Sequence, residues 1–133
     1  FCGLLEVGSG RLVLANGGHG APLLRREGRC EAIEVPPGML VGAFPNRRYQ
    51  ERELALLPGD LLLLHTDGIT EAENARGLPF GEEGCAHVLE SVGGGEAPLP
   101  QVLQELLASL ERFVNAEPLA DDCTLMALRR LGG

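Results

Sequence analysis

The run Leu61-Leu62-Leu63-Leu64-His65-Thr66 constrains this chain more than any other segment. Pro58-Gly59-Asp60 stands in front of it and Asp67-Gly68 behind it. Periodicity alone does not separate a short apolar run of this kind from a buried helix. Its length and its flanking turn residues select a strand buried on both faces. Such a strand needs hydrogen-bonding neighbours at both edges and apolar cover above and below, so the rest of the chain has to supply a layered, sheet-rich fold.

The first third offers those neighbours. Gly3 to Val7, Arg11 to Asn16, Leu23 to Arg26 and Arg29 to Val35 read as short strands. They are separated by Gly8-Ser9-Gly10, Gly17-Gly18-His19-Gly20 and Glu27-Gly28, a pattern that predicts a meander of antiparallel neighbours. Pro36-Pro37-Gly38 breaks it, and a Gly- and Pro-rich loop to Asn46 reads as a mobile flap before a further strand over Arg48 to Leu56. Helical turns are expected over Thr70 to Asn74 and Glu82 to Ser91, followed by a Gly93-Gly94-Gly95 linker. The strongest helix follows Pro98 to Pro100, with Leu99, Val102, Leu103, Leu106, Leu107, Leu110, Phe113 and Val114 at three-and-four spacing. Asp121-Asp122 then opens a last strand, Cys123 to Leu128. One domain over residues 1–133 accounts for the whole pattern.

Composition narrows the function classes. With aromatics at 4% and no Trp, the core has to be built from Leu, Val and Ala. A formal charge of -8 repels a phosphate backbone, and the arginines are scattered without forming a basic stripe, so nucleic acid is not the expected partner. No apolar run approaches the ~20 residues needed to span a bilayer, so membrane contact by this segment is not expected and the cytoplasm is the expected location. Cys2, Cys30, Cys85 and Cys123 lie far apart without a CxxC pair, and read as reduced thiols rather than a zinc site. The chain starts at Phe1, not Met, as though an upstream segment preceded it.

Two acidic positions sit at the ends of apolar strands, where a rigid backbone can aim a carboxylate: Asp67 and the pair Asp121-Asp122. Hard divalent cations take oxygen ligands, so carboxylates from separate strand ends suit them. On local spacing alone, an Asp-Gly after a strand is more often a plain turn, and an Asp before a strand is often a cap or a solvated loop residue. Asn16 reads as a turn residue, and His65 and His87 as packing residues. Arg25, Arg26, Arg47 and Arg48 are basic groups that could meet a phosphoprotein, although charge clusters of this size are usually solvated.

Three segments in order carry a family resemblance. LVLANGGHGAPLLRR (Leu12 to Arg26), GDLLLLHTDGITEAENARGLPFGEE (Gly59 to Glu83) and ADDCTLMALRR (Ala120 to Arg130) resemble the Asn-Ala-Gly-His hairpin, the Asp-Gly segment and the closing Asp-Asp-x-Thr strand of stage II sporulation protein E-type phosphatases. These form the bacterial branch of the metal-dependent, protein phosphatase 2C-like serine/threonine phosphatases. The resemblance implies an α+β fold: two stacked antiparallel β-sheets flanked by helices, an αββα sandwich with its N-terminal part missing from this sequence. It implies two Mn2+ or Mg2+ ions in the complete domain, with Asp67 and Asp121 as metal ligands and a metal-activated water rather than a side-chain nucleophile. Gly68, Glu71, Asp122 and His19 are implied as accessory positions: Glu71 near an additional ion, Asp122 orienting its neighbour, His19 facing the cleft. The implied substrate is a phosphorylated regulatory protein, an anti-sigma-factor antagonist in partner-switching control. The Gly-Gly-Asp and Gly-Asp-Val-Ser-Gly-Lys-Gly segments that family members carry upstream are not in this sequence, and GGHGAP stands where AGHPPP is usual. A non-catalytic phosphatase-like binding module and a purely structural domain are the alternative readings.

Overall fold

The computed structural model describes residues 1–92, 97–115, 119 and 121–132; the Gly93-Gly94-Gly95 linker lies outside them. The Leu-rich run forms strand β6, Leu61–His65, with all of its residues buried except the half-buried Leu64. Its alternation serves two cores. Leu61 and Leu63 point into a cluster shared with the helices, while Leu62 and Leu64 face a second cluster between two sheets. Burying each leucine contributes about 1.5–3 kcal/mol, so this strand anchors both layers.

Around it, the remaining strands are β1 (Cys2–Glu6), β2 (Arg11–Ala15), β3 (Leu23–Arg26), β4 (Arg29–Ala32), β5 (Glu51–Ala55) and β7 (Leu125–Arg129). They form one sheet in the order β4-β3-β6-β7 and another in the order β1-β2-β5, with antiparallel pairing throughout. Leu12 and Leu14 from the three-stranded sheet meet Leu24 and Leu62 from the four-stranded one, so the sheets stack face to face.

The expected meander is therefore half right: β1–β2 and β3–β4 are hairpins, but β2 and β3 do not pair. The turn between them carries the chain from one sheet to the other. Asn16 accepts hydrogen bonds from the backbone N–H groups of Gly18 and His19 and donates to the His19 carbonyl, which folds the turn on itself. Pro22 cannot donate to a ladder with β2, and its carbonyl accepts instead from Ile33 N–H at 2.8 Å. The edge of β2 left free by this crossing pairs with β5. Residues 33–50 hold no strand or helix, and the flap packs back on the Asn16 turn. A side chain at Gly38 would run into the Asn16 carbonyl and the Tyr49 ring.

Among the described residues three helices cover the four-stranded sheet: α1 (Asp67–Thr70), α2 (Gly81–Ser91) and α3 (Leu99–Val114). In α3, Val102, Leu106, Leu110 and Val114 form one buried stripe at four-residue spacing, whereas Leu107 is 42% exposed. The helix stops at Asn115 in the left-handed conformation, φ 52°. Phe113 meets Phe80 edge-on, with ring centroids 5.3 Å apart. The first helical turn begins earlier than Thr70 and does not reach Asn74. Ile69, fully buried, anchors it directly at the strand end. Asn74 instead accepts from the N–H groups of Arg76 and Leu78 and closes a small turn, the local competition with helix that Asn commonly provides.

Of the arginines, Arg25 is buried and Arg26 is bound to the buried Asp60, so both act inside the fold. All four cysteines are free thiols. Burial pushes the Cys85 thiol up to about 12 and that of Cys30 to about 11, while Cys2 is exposed. Because the thiolate is the nucleophile, iodoacetamide at pH 8 is expected to label Cys2 first. Cys30 and Cys85 are expected to react only after denaturation, as checked by peptide mass spectrometry; rapid labelling of Cys85 in the folded chain would contradict the packing of α2 on the sheet.

Candidate metal centre

The two acidic turns meet because β6 and β7 are antiparallel neighbours in register, with His65 opposite Leu125. The end of β6 and the approach to β7 therefore lie side by side. Thr66, in extended conformation, continues the pairing beyond the strands: its N–H donates to the Thr124 carbonyl at 3.1 Å. Its hydroxyl then accepts from Thr124 N–H and donates to the Asp122 carbonyl, both at 2.9 Å. Two residues on, Gly68 lies against the same turn. A Cβ there would sit 2.5 Å from the Asp122 carbonyl oxygen and 3.2 Å from that of Asp121, so only glycine permits this approach. The Cys123 thiol donates to the Gly68 carbonyl at 3.2 Å, and burial and the neighbouring Asp121 and Asp122 raise its pKa.

Asp67 and Asp121 are both exposed. Each braces its own turn through one oxygen: Asp67 Oδ1 accepts from Gly68 N–H at 3.0 Å, and Asp121 Oδ1 accepts from Asp122 N–H at 2.7 Å. That holds the carboxylates in place and leaves the second oxygen of each open to a ligand. Gly68, Glu71 and Asp121 line one cleft together with Glu73, Asn74 and Val114. Asp122 contributes its backbone carbonyl to the contact with Thr66 and Gly68, while its exposed side chain makes no bond in that seam.

His19 lies elsewhere. With Gly20, His65, Thr66, Thr124 and Met126 it lines a second, small cavity, so the Thr66–Thr124 seam borders this cavity while Gly68 and Asp121 line the other. Its Nδ1 accepts from Gly20 N–H at 3.0 Å, which puts the proton of the neutral ring on Nε2. His65 is buried, as expected of a packing residue, but its Nε2 has no hydrogen-bond partner among the described residues. The seam itself, Thr66 with Thr124 and Cys123, was not singled out by the sequence, although the Thr66 hydroxyl beside Asp67-Gly68 was the signal that could have found it.

The donor chemistry, exposed carboxylate oxygens on rigid turns, fits a hard divalent cation in kind. In number it is short: among the described residues no three His, Cys, Asp or Glu side chains converge to enclose an ion. Such cations take about six oxygens, more than the carboxylates of Asp67, Asp121 and Glu71 could supply between them with one oxygen of each Asp already held by a backbone N–H.

Two stacked antiparallel sheets with helices packed outside are the fold of protein phosphatase 2C-type domains. The stage II sporulation protein E family model matches residues 1–131, and the chain belongs to that phosphatase family. It is similar to Protein IcfG of Synechocystis sp., with 26% identity over 98% of this chain and 20% of that protein. Among solved structures, the RsbU and RsbW domains of Rv1364c from Mycobacterium tuberculosis align with a TM-score of 0.76 at 27% identity, over 97% of this chain and 36% of that one. The Mn-presoaked phosphatase domain of the cell fate determinant SpoIIE from Bacillus subtilis has the same fold, with TM-score 0.76, 13% identity and coverage of 99% of this chain and 56% of that domain. The chain thus spans a fifth of the curated relative and about half of the solved SpoIIE domain. None of the helices is long and apolar enough to cross a membrane among the described residues.

Proposed function

We propose that residues 1–133 form the C-terminal part of a metal-dependent protein serine/threonine phosphatase domain, with Asp67 and Asp121 as ligands to Mn2+ or Mg2+. The observation that carries this reading is the seam joining the two acidic turns inside a fold of the phosphatase family. Bound cations of this kind supply Lewis acidity that activates water and offsets charge on the leaving oxygen of a phosphoserine or phosphothreonine. The chain's own contribution is positional. Thr66 and Cys123 tie the carboxylate-bearing turns together, Gly68 permits their close approach, and Glu71, Gly68 and Asp121 shape the cleft. Gly68 and Asp122 serve by backbone contact, and His19 orders the turn beside the smaller cavity.

The family resemblance supports a phosphorylated regulatory protein as substrate, an anti-sigma-factor antagonist in particular, and with it a cytoplasmic setting. A second reading, a non-catalytic phosphatase-like module that binds such a protein without hydrolysing it, fits the finding that among the described residues no three acidic, His or Cys side chains converge. The two are separated by assaying the natural full-length chain that carries these residues against p-nitrophenyl phosphate and a phosphoserine peptide. Hydrolysis that requires Mn2+ and stops with EDTA is expected. A folded protein that neither turns over nor gains thermal stability with Mn2+ would leave only the binding or structural readings.

A further inference from the structure

We propose that the Thr66 hydroxyl is a positioning group that sets the spacing of the Asp67 and Asp121 carboxylates; this rests on the metal reading above. A hydroxyl carries one donor and two acceptor sites. Here the donor goes to the Asp122 carbonyl and an acceptor site takes Thr124 N–H, each at 2.9 Å. The strand ladder ends at His65 and Leu125, and one further backbone bond, Thr66 N–H to the Thr124 carbonyl, carries the pairing a residue beyond it. Beyond that point the hydroxyl takes up Thr124 N–H and reaches over to the residue next to Asp121. Thr66 is itself the residue next to Asp67, so a single side chain fixes both acid-bearing turns from one point.

The neighbouring contacts make that point hard to replace. Gly68 brings the backbones together without fastening them, and the Cys123 thiol is a weak donor. Valine has the same shape as threonine but neither donor nor acceptor, so Thr66→Val removes both side-chain ties between the turns, hands the exposed Asp122 carbonyl and Thr124 N–H to water, and leaves the backbone bond from Thr66 N–H to the Thr124 carbonyl as the remaining hydrogen bond from Thr66 across the seam. Serine keeps the hydroxyl.

The test uses the full-length natural chain and measures Mn2+ affinity directly by calorimetric titration, alongside the unfolding midpoint in EDTA. T66V is expected to bind Mn2+ about 10–100-fold more weakly, the usual effect of removing a group that orients a metal ligand. T66S should stay within about threefold of the unmodified protein, because the bonds are the same. Thr66→Ala repeats the comparison with a smaller side chain should T66V not fold. Equal affinity in T66V and the unmodified protein, or T66S as weak as T66V, overturns the positioning role while leaving the metal reading intact. No Mn2+ binding by the unmodified protein overturns both.

Discussion

Asp67→Asn and Asp121→Asn are each expected to lower Mn2+-dependent phosphatase activity of the full-length natural chain by at least about a hundredfold, equivalent to about 3 kcal/mol of transition-state stabilisation. Asparagine keeps the size of the side chain and one carbonyl oxygen, so the brace to Gly68 or Asp122 N–H survives. What it removes is the charge, which is what a hard cation needs from an exposed carboxylate. Because both residues are exposed, the unfolding midpoint in EDTA should barely move. Loss of activity with unchanged stability is therefore the signature of ligand loss. Glu71→Gln should act differently, raising the Mn2+ concentration for half-activity more than it lowers the maximal rate, since Glu71 lines the cleft one helical turn from Asp67. Full activity in either Asp variant would remove that residue from the ligand set.

How much of this was readable from the sequence depended on whether the deciding interaction was local. β6 was legible because Pro58-Gly59-Asp60 and Asp67-Gly68 bound a run too short for a helix, and α3 because its buried stripe repeats along one segment. The parting of β2 and β3 was not, since the same Gly-rich turn suits a hairpin and a crossing. What decides it is the pairing of β2 with β5, far along the chain. The short α1 was misplaced toward Asn74 because nothing in the local pattern shows that Ile69 is swallowed by the core. The acids were visible as strand-end carboxylates, but their juxtaposition rests on the register of β6 with β7 and on Thr66 bonding to Thr124 N–H, 58 residues away. The separation of His19 from Gly68 and Asp121 into different cavities has the same non-local origin.

The second large effect is on stability and lies at the other end of β6. Asp60 has a side chain only 3% exposed, and it accepts from Arg26 Nε and Nη2, the closest contact being 2.6 Å, and from Leu57 N–H at 2.7 Å. Arg26 also donates to the Ala55 carbonyl, so the pair joins β3, the end of β5 and the start of β6, tying one sheet to the other. The Arg26 guanidinium raises no packing conflict there, because 38% of its side chain remains open to water. Asp60→Ala removes the counter-charge and leaves Leu57 N–H without a partner. The cost expected is about 3 kcal/mol, the low end for breaking a buried pair because water reaches Arg26. Urea unfolding should show a lower midpoint with an unchanged slope. Arg26→Ala leaves the better-buried carboxylate uncompensated and should cost at least as much. The double variant should cost less than the two single losses added, by about 1–2 kcal/mol of coupling. A loss below about 1 kcal/mol in Asp60→Ala would mean that the contact behaves as an ordinary surface pair. Asp60 and Asp67 stand at opposite ends of the strand, about 20 Å apart at the usual rise per residue, so activity per folded molecule should not change. Stability and the proposed metal binding are thus expected to separate along a single strand, with Asp60→Ala moving the first and Asp67→Asn the second.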